Sequence, residues 1–194
     1  MKTLSKIAAL AAVTAMATPA FAAPVSDTNG SARVNIVRGL SLVSSGDIDF
    51  GTIVLPGTVT GATTTVAVDT AGDVTTSCGA GFTCSLLTGD TSTYETYDLT
   101  GTRGVNVNIT VPNTATMYVD GNAANPSLAV SLVSDLPAGV VGVTDTVHTV
   151  TLPTSAAPGS AAAFQFNIGG SISVSDSQAD GAYTGTFSVS ADYE

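Results

Sequence analysis

The sequence predicts an antiparallel all-β sandwich folded as a single domain, and three observations carry the prediction. Apolar residues recur at every second position between turn residues, which puts one side of each segment in a core and the other in solvent. Glycine and proline punctuate the chain so densely that, beyond residue 22, the longest stretch free of both is eleven residues, 90–100, which excludes long helices. The segments are also rich in Val and Thr, whose β-branched side chains pack well on a pleated surface and lose rotamer freedom in a helix. About ten short strands at turn spacings of roughly ten residues fit a sandwich better than a closed barrel.

From the N-terminus, residues 1–22 read as a secretory signal peptide. Lys2 and Lys6 give a positive start, 7–17 an apolar stretch, and Ala20-Phe21-Ala22 a cleavage site with small residues at both ends. The apolar stretch is too short to cross a bilayer, which takes about 20 residues. Cleavage leaves residues 23–194, enough to bury about 70% of the surface that the unfolded chain exposes. The segment Ala32–Leu42 then alternates through Val34, Ile36, Leu40 and Leu42. Within 23–43 it is either the domain's own first strand or a donor strand for a neighbour.

Val66 and Val68 mark the next strand. Cys78 and Cys84 follow, the only cysteines, and export would place them in an oxidising compartment where an even pair forms a disulfide. Closing so short a loop restricts the unfolded chain by about 2 kcal/mol in the entropy model, so the bridge trims a hairpin rather than stapling the fold. Further strands follow Val105, Val107, Ile109 and Val111; Leu128, Val130 and Leu132; Phe164, Phe166 and Ile168; and Ile172 with Val174. The last alternates through Phe187, Val189, Ala191 and Tyr193.

Composition limits the function. With 44% apolar and 10% charged residues the chain is not of the disordered class. Its net charge is −10; without Lys2 and Lys6, three arginines face fifteen acids, leaving −12. Phosphate binding needs clustered Lys and Arg, so nucleic acid is excluded as a partner. Without lysine the exported chain also has no Lys-to-Asn cross-link. Exposed aromatic platforms for sugars are sparse, with no Trp and 5 Tyr.

Candidate chemistry is thin. His148, the only histidine, lies in a strand-like run with no marked nucleophile motif nearby, and reads as a surface strand residue. The only glutamates are Glu95 and Glu194, an unpromising acid and base pair. Aspartates cluster as Asp47 with Asp49, Asp69 with Asp73, and Asp176 with Asp180. None follows the calcium-loop spacing, and all read as turn residues. The residues indicate neither an enzyme, nor a cofactor, nor a metal site.

Two segments carry more information. Gly46-Asp47-Ile48-Asp49-Phe50-Gly51 lies near the start of the domain, and the chain closes on a terminal strand with Gly181, Tyr183, Phe187, Val189 and Tyr193. With Asp98–Gly104 and the Val105–Val111 strand between them, these motifs resemble the bacterial family called domain of unknown function 4402. They are also similar to the spore coat U domain, a pilin-like family, although spore coat U domains carry a first-strand cysteine and this chain has none before Cys78. The resemblance implies an immunoglobulin-like or pilin-like sandwich. In pilin-like families a subunit lacks one strand, and the N-terminal extension of the next subunit supplies it by β-augmentation.

Together these readings lead to a secreted, non-enzymatic structural or adhesive protein of the periplasm, cell surface or medium. Its expected partners are further copies or other surface proteins, joined by strand addition, with no membrane-integral segment in the exported chain. The rival from another class is a monomeric extracellular module that binds glycan or calcium.

Overall fold

The computed structural model describes residues 30–82 and 92–194. The chain divides into two units, 1–35 and 36–194; of the first, residues 30–35 are described, exposed and outside any strand. The second unit is an antiparallel β-sandwich, with no helix among the described residues.

Its strands are β1 (Ser41–Ser45), β2 (Thr63–Val68), β3 (Val74–Ser77), β4 (Glu95–Gly101), β5 (Asn106–Pro112) and β6 (Thr114–Val119). Then come β7 (Ser127–Ser134), β8 (Val140–Val141), β9 (Asp145–Thr151), β10 (Ala162–Ser175), β11 (Tyr183–Thr184) and β12 (Ser190–Tyr193). One sheet runs β1-β4-β10-β7-β6-β11, with β2 and β3 branching from β10; the other runs β12-β5-β9-β8.

Strand β10 organises the fold. Its residues 162–168 pair with β4 and its residues 170–175 with β2, so two strands follow one another along the same edge. From Ala162 to Val174 every even-numbered side chain turns inward or half inward. The sequence reading places separate strands here, at Phe164–Ile168 and Ile172–Val174, because Gly169-Gly170 looks like punctuation. The pair instead preserves the parity, and one strand runs through. Gly169 is required for closeness: a Cβ there would collide with the Val68 carbonyl oxygen, where β2 takes over from β4.

The two halves of β10 bury different cores. Phe166 and Ile168 join Tyr97 and Leu99 of β4 against Val107, Ile109 and Val111 of β5 and Val150 of β9, so this core lies between the sheets. The Phe166 ring stacks on Tyr97 with centroids 5.2 Å apart. Ile172 and Val174 join Val66, Val68, Leu128 and Val130, and the cover there includes Phe50, Ile53 and Leu55 from the segment that links β1 to β2. Each such side chain stabilises the fold by about 1.5–3 kcal/mol when fully buried. A cover made of irregular chain in place of a strand leaves the second core open along its flanks.

Candidate functional site

Two features stand apart from the packed sandwich: an exposed N-terminal arm and a groove beside the second core. Leu42 lies in β1, whose residues 41–45 pair with 96–100 of β4, and both Leu40 and Leu42 pack on the first core. Val34 and Ile36, which continue the same alternation, lie outside any strand and are 81% and 80% exposed; Val37 is 52% exposed. The predicted segment thus divides at Leu40 into a part inside the sandwich and an apolar part in solvent.

The terminal segment divides as well. Gly181 precedes β11; Tyr183 and Thr184 pair with Val119 and Tyr118 of β6 in the first sheet. Residues 190–193 pair with 107–110 of β5 in the second. Between them, residues 185–189 cross from one sheet to the other and make no backbone hydrogen bond to a described residue. Phe187, Val189, Ala191 and Tyr193 nevertheless lean on the first core. A terminal strand that changes sheets leaves β12 as an edge among the described residues, while the Gly185 backbone still lies against Thr116 of β6.

The groove lies where this crossing segment faces 46–55. It comprises two adjoining cavities of about 610 and 450 Å³ that share Ile48, Asp49, Phe50, Met117 and Tyr183. The floor is apolar, with Leu128, Ile172 and Val174 under the larger part and Ala115, Val130 and Leu132 under the smaller. Asp49, Asp180, Asp47 and Glu95 are its acids, and among the described residues no basic one lines it.

Its walls are held by short polar staples. Asp49 exchanges backbone hydrogen bonds with Thr93 at 3.0 and 3.2 Å, and its Oδ1 accepts from the Gly51 amide at 2.8 Å. On the other wall, Gln178 Nε2 donates to Tyr183 Oη at 2.7 Å, and Tyr183 donates to the Ala179 carbonyl at 2.8 Å. At the end of β10, Asp176 is buried and its Oδ2 accepts from the Thr60 amide at 2.6 Å, the Thr60 hydroxyl at 3.0 Å and the Ala62 amide at 3.0 Å. The Thr60 amide, aided by its hydroxyl and by the Ala62 and Gly61 amides, holds this carboxyl below its ordinary range against the opposing effect of burial.

The other candidate residues are structural in their geometry. His148 is buried, not at the surface as its sequence context suggests: it sits on the inward side of β9. Its Nδ1 is 2.6 Å from the Pro137 carbonyl, which only accepts, so the ring proton is on Nδ1. Asp69 Oδ1 accepts from the amides of Ala71 and Asp73, both at 2.8 Å, and closes a turn. Among the described residues no three His, Cys, Asp or Glu side chains converge as metal ligands. Cys78 Sγ lies 3.3 Å from the Phe82 carbonyl oxygen, while Cys84, its expected partner, lies outside the described residues. No helix among the described residues is long and apolar enough to cross a membrane.

Sequence reasoning missed the groove and its support Gln178, and read the buried Asp176 as a turn residue. Asp176 carried a signal only as one of several turn aspartates, and Gln178 carried none. Compared with known proteins, residues 40–193 match the family model described as Domain of unknown function (DUF4402). No curated protein and no solved structure matches.

Proposed function

Since this chain belongs to the family of domain of unknown function 4402, we propose that it is a secreted, non-enzymatic structural or adhesive surface subunit that joins its neighbours by strand addition. One observation carries the reading: the alternation of Val34 and Ile36 continues the pattern of Leu40 and Leu42, yet the first pair is in solvent while the second is packed. An alternating apolar segment left in water gains stability by pairing with another sheet, and main-chain hydrogen bonds supply the remaining affinity. Among the described residues β1 and β12 end their sheets with no strand on the outer side. The N-terminal signal and the sparse catalytic residues agree with an exported structural role.

Size-exclusion chromatography with light scattering, run on residues 23–194 and on a form lacking 23–37, tests the reading. The expected result is oligomers from the longer form and a folded monomer from the shorter one. A monomer from both would overturn the reading in favour of a monomeric binding module.

A further inference from the structure

We infer that the acid-rimmed groove between 46–55 and 178–187 is the receptor for the N-terminal arm, residues 31–37, of a second copy of this chain; this rests on the self-association reading above. Three properties of the groove and the arm match.

The first is charge. Beyond Lys6 the chain has three cations, Arg33, Arg38 and Arg103. Arg103 is engaged by the carbonyls of Thr154 and Ala156 at 3.3 and 3.0 Å. The other two flank the apolar positions of the arm. The groove carries Asp49 and Asp180 with no compensating base in its lining, so the arm is the most complementary segment the chain possesses.

The second is side-chain period. On the groove floor Ala115 and Met117 of β6, and Val130 and Leu132 of β7, point inward at every second residue. An extended arm lying along them presents Val34 and Ile36 at the same spacing.

The third is backbone. Strand β11 pairs with Val119 and Tyr118, and beyond it the Gly185 backbone lies against Thr116, so among the described residues only Thr114 and Ala115 lack a neighbouring chain on that edge of β6. Across the groove, 185–189 is also without backbone partners among the described residues. The backbone of 186–189 therefore has amides and carbonyls at hand, as strand addition requires.

The test replaces Ile36 in residues 23–194 with a benzophenone amino acid, mixes light and heavy isotopic forms, irradiates the oligomer and maps intermolecular cross-links by mass spectrometry. Cross-links within 46–55, 115–117 and 178–187 are expected. Cross-links on 105–111 or 190–193 of a persisting oligomer would overturn the groove assignment and leave self-association standing, whereas a chain that is monomeric at every concentration would overturn both. Asp49→Asn with Asp180→Asn keeps the acceptor that holds Gly51 and removes two charges; it is expected to weaken association about two- to five-fold, and an unchanged dissociation constant would count against the assignment. Met117→Lys, on the floor, is expected to weaken it further, with circular dichroism confirming that the variant is folded.

Discussion

The Tyr193 hydroxyl donates to the Arg38 carbonyl oxygen across 2.8 Å. The same hydroxyl accepts from the Thr102 amide at 2.6 Å. Tyr193 ends the edge strand of one sheet, and Arg38 leads into the edge strand of the other, so one phenol ties the two chain ends across the open side of the sandwich. Gly101 makes room for it: a Cβ there would lie 2.7 Å from both the Tyr193 oxygen and Leu40 Cδ2.

Tyr193→Phe removes the shared hydroxyl and leaves the Thr102 amide and the Arg38 carbonyl to find water. The expected loss is about 1–2 kcal/mol, read from urea unfolding. Gly101→Ala pushes on the same oxygen and is expected to cost about 1–3 kcal/mol by overpacking. If both variants unfold at the wild-type midpoint, the tie does not support the edge.

His148→Ala empties a buried position and orphans the Pro137 carbonyl, 2.6 Å from Nδ1. A loss of about 1–3 kcal/mol is expected, with part of it restored by His148→Asn, whose amide nitrogen sits where Nδ1 does. Assembly should survive in either variant. A melting temperature unchanged by His148→Ala would contradict the burial, and a lost hydrolytic activity would contradict the non-enzymatic reading.

Two groups predict how stability varies with pH. Asp176 is held below its ordinary range, so its contribution is present above about pH 4 and is lost as pH falls through the folded value. Burial, reinforced by Glu95, raises Tyr97 above its ordinary range, so the neutral phenol stabilises the fold below about pH 10 and that contribution fades at higher pH. Because the acidic chain also sheds self-repulsion on acidification, the readout is the difference between wild type and Asp176→Asn. That difference should shrink between about pH 5 and about pH 2, the span over which a carboxylate of ordinary or lowered pKa gains its proton. A constant difference would contradict the Asp176 assignment.

On the proposed export, Cys78 and Cys84 reach an oxidising compartment, and a disulfide is the expected outcome. Intact mass after alkylation without reduction should show no added label. Replacing both cysteines should keep the fold and lower the melting temperature modestly, because the closed loop is short. Two labelled thiols in native exported protein would contradict the pairing.

Much of the fold was legible because period-two alternation is local. Val107, Ile109 and Val111, read as one face of a strand, are that face of β5. Legibility failed where two partners share one strand: nothing in Gly169-Gly170 distinguishes a turn from a strand interior that must admit the Val68 backbone. It failed again at 183–193, where an unbroken alternation conceals a change of sheet at Gly185, since the pattern records which side is buried and not which strand lies alongside. His148 was misplaced because a polar residue among Thr and Val reads as solvent-facing, whereas the Pro137 carbonyl, eleven residues away, satisfies it inside. The groove had no local signature at all, being the space left where 46–55 covers a sheet in place of a strand.

Sedimentation equilibrium of residues 23–194, compared with the same chain carrying Ile36→Asp, decides whether the N-terminal arm joins one copy to the next. Ile36 is 80% exposed, so the substitution leaves the fold of one copy essentially untouched. The account predicts a mass that rises with concentration for the wild type and a monomer for the variant. Identical monomeric profiles for the two chains, or identical oligomers, would contradict it.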